Sequence, residues 1–169
     1  MELEFEVVEL PETDHVDERD QAPDFERPLV NHEYWEDAPL SEIVPTVLVF
    51  YTMDGAFPAT YIWNEIRDRE WEDIDDEVTV VGISISTPYA HKNFIEERGI
   101  DYDLFSDPRN EVAREYGVVN DLDGMNGVEE ARPSVFVIDE GMEVEYCWVA
   151  EEHPEFPPYD EVEEELRGR

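Results

Sequence analysis

The sequence predicts an α/β protein whose central mixed sheet carries helices on both faces. Three observations predict it. The segment from Thr46 to Tyr51 is nearly all apolar and β-branched or aromatic, the pattern of a strand covered on both sides. Val78 to Ile85 repeats that pattern, and each of the two is followed by a segment that opens on a proline and continues with helical spacing. Val135 to Ile138 is then followed by Glu140-Gly141 and by alternating Val144, Tyr146 and Trp148, which reads as a hairpin.

Taken in order, Leu3, Phe5 and Val7 alternate with glutamates and predict a half-exposed edge strand. Residues 11–32 are rich in Pro, Asp and Glu and predict a long surface excursion. Leu40 to Val44 predicts a short helical turn with Ser41 near its start. Pro58 suits the first turn of a helix, where its missing N–H costs nothing. Tyr61, Ile62, Glu65, Ile66 and Arg69 follow at helical spacing, and Trp71 closes the segment. Thr87-Pro88 starts a second helix, with Phe94 and Ile95 inward and Gly99 as its stop. Asp107-Pro108 starts a short helix that runs through Tyr116 to Gly117. A last helix from Tyr159 to Leu166 turns Val162 and Leu166 inward. This order is that of a thioredoxin-like fold with additional elements. It predicts an N-terminal strand and acidic extension over 1–21 and a single domain over 22–169.

The chain carries 47 acidic and 11 basic residues in 169, a formal net charge of −36, and Lys92 is its one lysine. The carboxylates are spread along the whole chain. Such a surface repels itself unless salt screens it, and the Debye length falls to about 3 Å at 1 M. The pattern predicts a protein of a high-salt, halophilic cytoplasm; an acidic surface for a basic partner is the competing reading. Nucleic acid is excluded as a partner by the same charge. The acidic start, Met1 to Glu6, has no apolar leader segment, and no apolar run reaches the roughly 18 residues of a membrane span. Cys147 is the only cysteine, so no internal disulfide forms.

Several blocks follow one another in order: Ala22-Pro23-Asp24-Phe25, Val49-Phe50-Tyr51 with Ile66-Arg67-Asp68, and Val81-Gly82-Ile83-Ser84 with Pro88, His91-Lys92 and Phe94. Leu104-Phe105-Ser106-Asp107, Phe136-Val137-Ile138-Asp139 and Pro158-Tyr159-Asp160 continue the series. Together they resemble the peroxiredoxins, the alkyl hydroperoxide reductase/thiol-specific antioxidant proteins of the thioredoxin superfamily. The resemblance implies thiol-dependent peroxide reduction as the family activity. It also implies a site motif, Pro-x-x-x-Thr/Ser-x-x-Cys, and an arginine three residues before the phenylalanine of the late strand. Mapped here, the proline is Thr52, the hydroxyl residue Ala56, the cysteine Ala59 and the arginine Pro133, with Arg132 one residue earlier. Pro133 resembles the cis-proline of ordinary thioredoxins at that place.

Peroxide reduction needs a thiolate, activated by helix N–H groups and a cation, that becomes a sulfenic acid. Ala59 can take no part in it, and Thr60 beside it is a hydroxyl without a base. Cys147 is either a small buried hydrophobe of its strand, on the face of Glu145 and Val149, or a displaced redox thiol. Arg132 is either an anion site facing the helix that starts at Pro58 or a partner of one of the many carboxylates. The histidines, His15, His32, His91 and His153, lack the spacing of a metal site and read as solvated surface groups. Neither a metal nor a cofactor is expected. Tyr61 and Trp63 fall on different faces of their helix, so one of them is available to a partner subunit; the resemblance implies a homodimer.

Three functional readings follow. The first is a catalytically silent peroxiredoxin-like protein that binds a protein partner or small anion through a pocket lined by Thr52, Asp54, Ala56, Ala59, Thr60, Arg132 and Pro133. The second is a thiol oxidoreductase acting through Cys147. The third is a regulatory subunit of an active peroxiredoxin.

Overall fold

A computed structural model of the protein describes residues 7–120 and 126–169. Its strands are β1 (Val8–Glu9), β2 (Glu26–Val30), β3 (Trp35–Pro39), β4 (Thr46–Phe50), β5 (Thr79–Ser84), β6 (Asp103–Ser106), β7 (Val119–Asn120), β8 (Glu130–Ala131), β9 (Ser134–Ile138), β10 (Val144–Val149) and β11 (Glu152–His153). Its helices are α1 (Phe57–Arg69), α2 (Trp71–Ile74), α3 (Pro88–Arg98), α4 (Glu111–Tyr116) and α5 (Tyr159–Arg167), with a single 3-10 turn at Leu40–Glu42. Among the described residues the central sheet has seven strands in the order β10-β9-β4-β5-β6-β2-β3. The β4, β5 and β6 strands run parallel, and β9, β10, β2 and β3 join antiparallel on either side. This is a thioredoxin-like α/β fold.

The core lies in two layers because inner strands alternate their side chains between two covered faces. On one face Val47, Val49 and Val80 pack against α1, α3 and α5 through Ile62, Trp63, Ile66, Phe94 and Val162. On the other, Leu48, Phe50, Val81 and Ile83 meet α4, Leu40 and the N-terminal segment through Tyr116, Ala22 and Phe25. Gly82 has a steric reason: a Cβ there would overlap the Trp63 ring. Gly117 has two, a φ of +75° and the backbone of Asp14, whose carbonyl oxygen would lie 2.7 Å from a Cβ.

The structure corrects several expectations. Leu3 and Phe5 lie outside the described residues; the short strand begins one residue past Val7 and pairs with β11. The excursion expected over 11–32 ends in β2, and β3 follows it as the sheet's outer strand. Neither has a continuous apolar run, and each contains or ends on a proline, so the sequence hides them. The earlier part of that excursion is tied down, with Val16 N–H donating to the Tyr116 carbonyl and Ala22 N–H to that of Met142. The strand β6 was not anticipated. The helix expected to reach Trp71 stops at Arg69, because Glu70 turns left-handed (φ 50°, ψ 55°) and Trp71 opens α2. Likewise Asn110 is left-handed at φ 59°, so α4 starts at Glu111 and not at Asp107.

A bulge in β10 breaks the expected alternation there. Val144 pairs with Ile138 and Tyr146 with its neighbour Val137, leaving Glu145 unmatched. Val144 therefore joins Cys147 and Val149 on the α4 face, while Tyr146 and Trp148 face the α1 side. Trp63 is fully buried and Tyr61 is 51% exposed, which settles which of the two faces outward. No helix among the described residues is long and apolar enough to cross a membrane.

Candidate functional site

The segment from Tyr51 to Thr60 leaves the carboxyl end of the central strand β4 and enters α1. Ala56 is the N-cap of α1 and supplies no side-chain cap; Phe57 and Pro58 follow in the first turn. Ala59 has no exposed surface and its methyl group packs in the apolar layer that also holds Tyr51, Ile62 and Trp63. Thr60 bonds back to the Ala56 carbonyl from both its N–H (3.1 Å) and its hydroxyl (3.2 Å). Thr52 is buried, and its hydroxyl oxygen has no partner.

Asp54 organises the loop. The Tyr51 hydroxyl donates to its Oδ1 at 2.6 Å, and its Oδ2 lies 2.7 Å from Nδ1 of His91. The Asp54 N–H donates to the Ser86 hydroxyl at 2.8 Å. His91 is fully buried, and its Nε2 lies 2.8 Å from the Phe105 carbonyl oxygen. A carbonyl only accepts, so Nε2 carries a hydrogen. The 2.7 Å contact on the other side then holds a further proton shared by Nδ1 and Oδ2. Burial, and then the Asp54 charge, push the Tyr51 hydroxyl's pKa well above its ordinary value, so it stays a donor. The cluster ties the loop to α3 and β6. It corrects the reading of His91 as a solvated histidine. The signal was present, since His91, Phe94 and Ile95 fall at i, i+3 and i+4 and share one helix face.

Arg132 makes its guanidinium contacts with other segments. It is 4% exposed, and its two terminal nitrogens donate to the carbonyls of Ala150 (3.2 Å) and Pro11 (3.0 Å). It lines a cavity of about 440 Å³ with residues of the N-terminal segment and of the turn after β10. None of Thr52, Asp54, Ala56, Ala59 and Thr60 lines that cavity. In extended backbone neighbouring side chains point to opposite sides, so moving the arginine one residue redirects it. Pro133 follows in trans; among the described residues the cis bonds are Val44–Pro45 and His153–Pro154.

Cys147 is half-buried on β10, and its Sγ donates to Oδ1 of Asp17 at 3.3 Å. Desolvation first, and then the Asp17 carboxylate, push its pKa up to about 12. At neutral pH the thiol is held protonated, the reverse of an activated cysteine. His15 places Nδ1 2.7 Å from the Val16 carbonyl, and His32 pairs with Glu33 on the surface. No group of three or more His, Cys, Asp or Glu among the described residues is arranged to hold a metal.

The model of the AhpC/TSA family matches residues 19–147. The chain belongs to the AhpC/TSA family. It is similar to YkuU of Bacillus subtilis (strain 168), which carries a provisional peroxiredoxin name, with 36% identity over 110 residues, 60% of this chain and 57% of YkuU. It is similar to the chloroplastic peroxiredoxin Q of Gentiana triflora, with 28% identity over 123 residues, 73% of this chain and 53% of that protein. This chain thus spans little more than half the length of these two relatives. Among solved structures it is similar to the peroxidoxin BcpB of Mycobacterium tuberculosis, with a TM-score of 0.76 and 28% identity, over 91% of this chain and 98% of that one. The family's chemistry is thiol-dependent peroxide reduction. A single cysteine outside the start of α1 is consistent with loss of the peroxidatic residue.

Proposed function

We propose that this AhpC/TSA member does not reduce peroxide through the family's thiol and acts by binding. The observation that carries the reading is the sole thiol: Cys147 sits on β10, hydrogen-bonded to a carboxylate and held protonated. Ala59, at the position that resembles the family's cysteine, is sealed in the core. Thr52, Asp54, Ala56, Ala59 and Thr60 form the retired site. Arg132 and Pro133, which the same resemblance adds to it, are turned to other contacts. We also take residues 22–169 as one domain with 1–21 as its extension, and the acidic surface as adaptation to a salt-rich, halophilic cytoplasm.

Tyr61, at 51% exposure, clusters at the start of α1 with Phe57 and Phe156, with ring centroids 5.3 to 6.3 Å apart. That aromatic cluster supports a protein partner there, a second copy or an active relative that this chain regulates. The test is peroxide consumption with a thiol reductant in about 1 M KCl, where the Debye length is about 3 Å, for the protein and for Cys147→Ser. Background rates for both are expected. A rate well above background that vanishes in Cys147→Ser would establish a thiol oxidoreductase instead.

A further inference from the structure

The Arg132 cavity contains a charge imbalance that the fold does not resolve. In a chain with 47 carboxylates, this buried guanidinium makes no ion pair among the described residues. Among the described residues two of its five N–H donors reach carbonyls, and Nε has no acceptor. Desolvation draws its pKa below the usual arginine value. A buried cation without a counter-charge is strongly unfavourable until an anion completes it. The cavity beside it, about 440 Å³, is of the size of small-molecule sites.

The walls are built for the purpose. The β1 and β11 strands pair Val8 with His153 and Glu9 with Glu152, and Leu10 N–H donates to the Glu151 carbonyl at 2.9 Å. The two carbonyls that Arg132 engages, Pro11 and Ala150, belong to the segments so joined. The glutamates lining the cavity, Glu9, Glu12 and Glu151, are exposed, whereas Arg132 is buried. The floor is therefore positive and the mouth negative. A simple anion is repelled on its way in. A molecule that carries a carboxylate and a positive charge of its own satisfies both ends.

We propose that this cavity binds a small zwitterionic carboxylate of the α-amino-acid class, its carboxylate on Arg132 and its ammonium group toward the glutamates at the mouth. The lining of this cavity includes none of Thr52, Asp54, Ala56, Ala59 and Thr60. Calorimetric titration in about 1 M KCl with L-alanine, propionate and L-alanine methyl ester tests it. L-Alanine is expected to bind saturably at one site, about tenfold or more tighter than propionate, and the ester not to bind. Arg132→Met, checked for folding by circular dichroism, is expected to lose alanine binding. Glu12→Gln with Glu151→Gln, both at exposed positions, is expected to bring alanine down to propionate. No saturable alanine binding, propionate as tight as alanine, or undiminished binding by folded Arg132→Met overturns the proposal. Should Arg132→Met not fold, the ester comparison and the double glutamine variant decide it: ester binding, or a double variant that still prefers alanine, overturns the proposal.

Discussion

The Asp54–His91 cluster and the Arg132 cavity both bury charge, and they do so in opposite ways. At the first, Asp54 receives a hydrogen on each oxygen and both ring nitrogens of His91 find oxygen partners. At the second, a guanidinium is held, among the described residues, only by carbonyls and keeps donors unused. The closed cluster fixes a loop; the incomplete one leaves a charge for something else to meet. The difference teaches that the loop before α1 has its charges internally met, while unmet electrostatics sit at the junction of the N-terminal segment with the turn after β10.

Removing a partner from the closed cluster breaks that comparison most severely. Asp54→Ala leaves the Tyr51 hydroxyl and the shared proton of His91 without an acceptor in a buried place. It is expected to cost about 3–5 kcal/mol, read as a fall in the denaturation midpoint at fixed salt. A cost under about 1 kcal/mol would mean that the cluster does not hold the loop.

The same operation at the open site is expected to do less. Arg132→Met frees the carbonyls of Pro11 and Ala150, which opposes folding, and removes an uncompensated charge, which favours it. A net loss of about 1–2 kcal/mol is expected in the absence of ligand. A loss matching that of Asp54→Ala would make Arg132 a structural clamp.

Much of this contrast was hidden in the sequence. The inner strands β4, β5 and β9 were legible because both of their faces are covered and the apolar run is continuous. The strands β2 and β3 were not: β3 is a half-exposed sheet edge, and β2 beside it is only partly buried and interrupted by Pro28, so neither has such a run to show. Asp54 was legible as a loop residue and His91 as part of a family block, but their pairing is a contact between distant segments that no local pattern encodes. Arg132 stood one position from where the resemblance expects an arginine. Its identity was legible, and the redirection that follows from a one-residue shift in extended backbone was not. The bulge that puts Val144 and Cys147 on one face is lost for the same reason, since strand period alone cannot locate an inserted residue.

Placing a thiol at Ala59, the position that resembles the family's cysteine, sharpens the comparison from the other side. Ala59→Cys adds a sulfur to a closed apolar layer and is expected to cost about 1 kcal/mol. Peroxide consumption is expected to stay near background, because the position has no exposed surface and Arg132 is engaged elsewhere. A gain of about a hundredfold or more, which corresponds to about 2.7 kcal/mol of barrier, would show that the loop before α1 is still a working site.

The smallest effect is expected at Cys147. Serine there keeps a donor for Asp17 and changes little volume, so Cys147→Ser is expected to alter stability by under about 0.5 kcal/mol at neutral pH. The informative variable is pH. The folded thiol's pKa is raised from 9.0 to about 12, so the folded state holds this proton more tightly than the unfolded chain. The resulting contribution is whole below pH 9 and is lost as pH rises from 9 to about 12. Denaturation curves of the two proteins should therefore keep a constant separation up to about pH 9 and move in favour of Cys147→Ser above it. Alkylation by iodoacetamide, followed by mass spectrometry, should be slow in the folded protein at pH 8 and fast once it is unfolded. Fast alkylation of the folded protein at that pH would mean that Asp17 and burial do not hold the proton, and would return Cys147 to the set of working thiols.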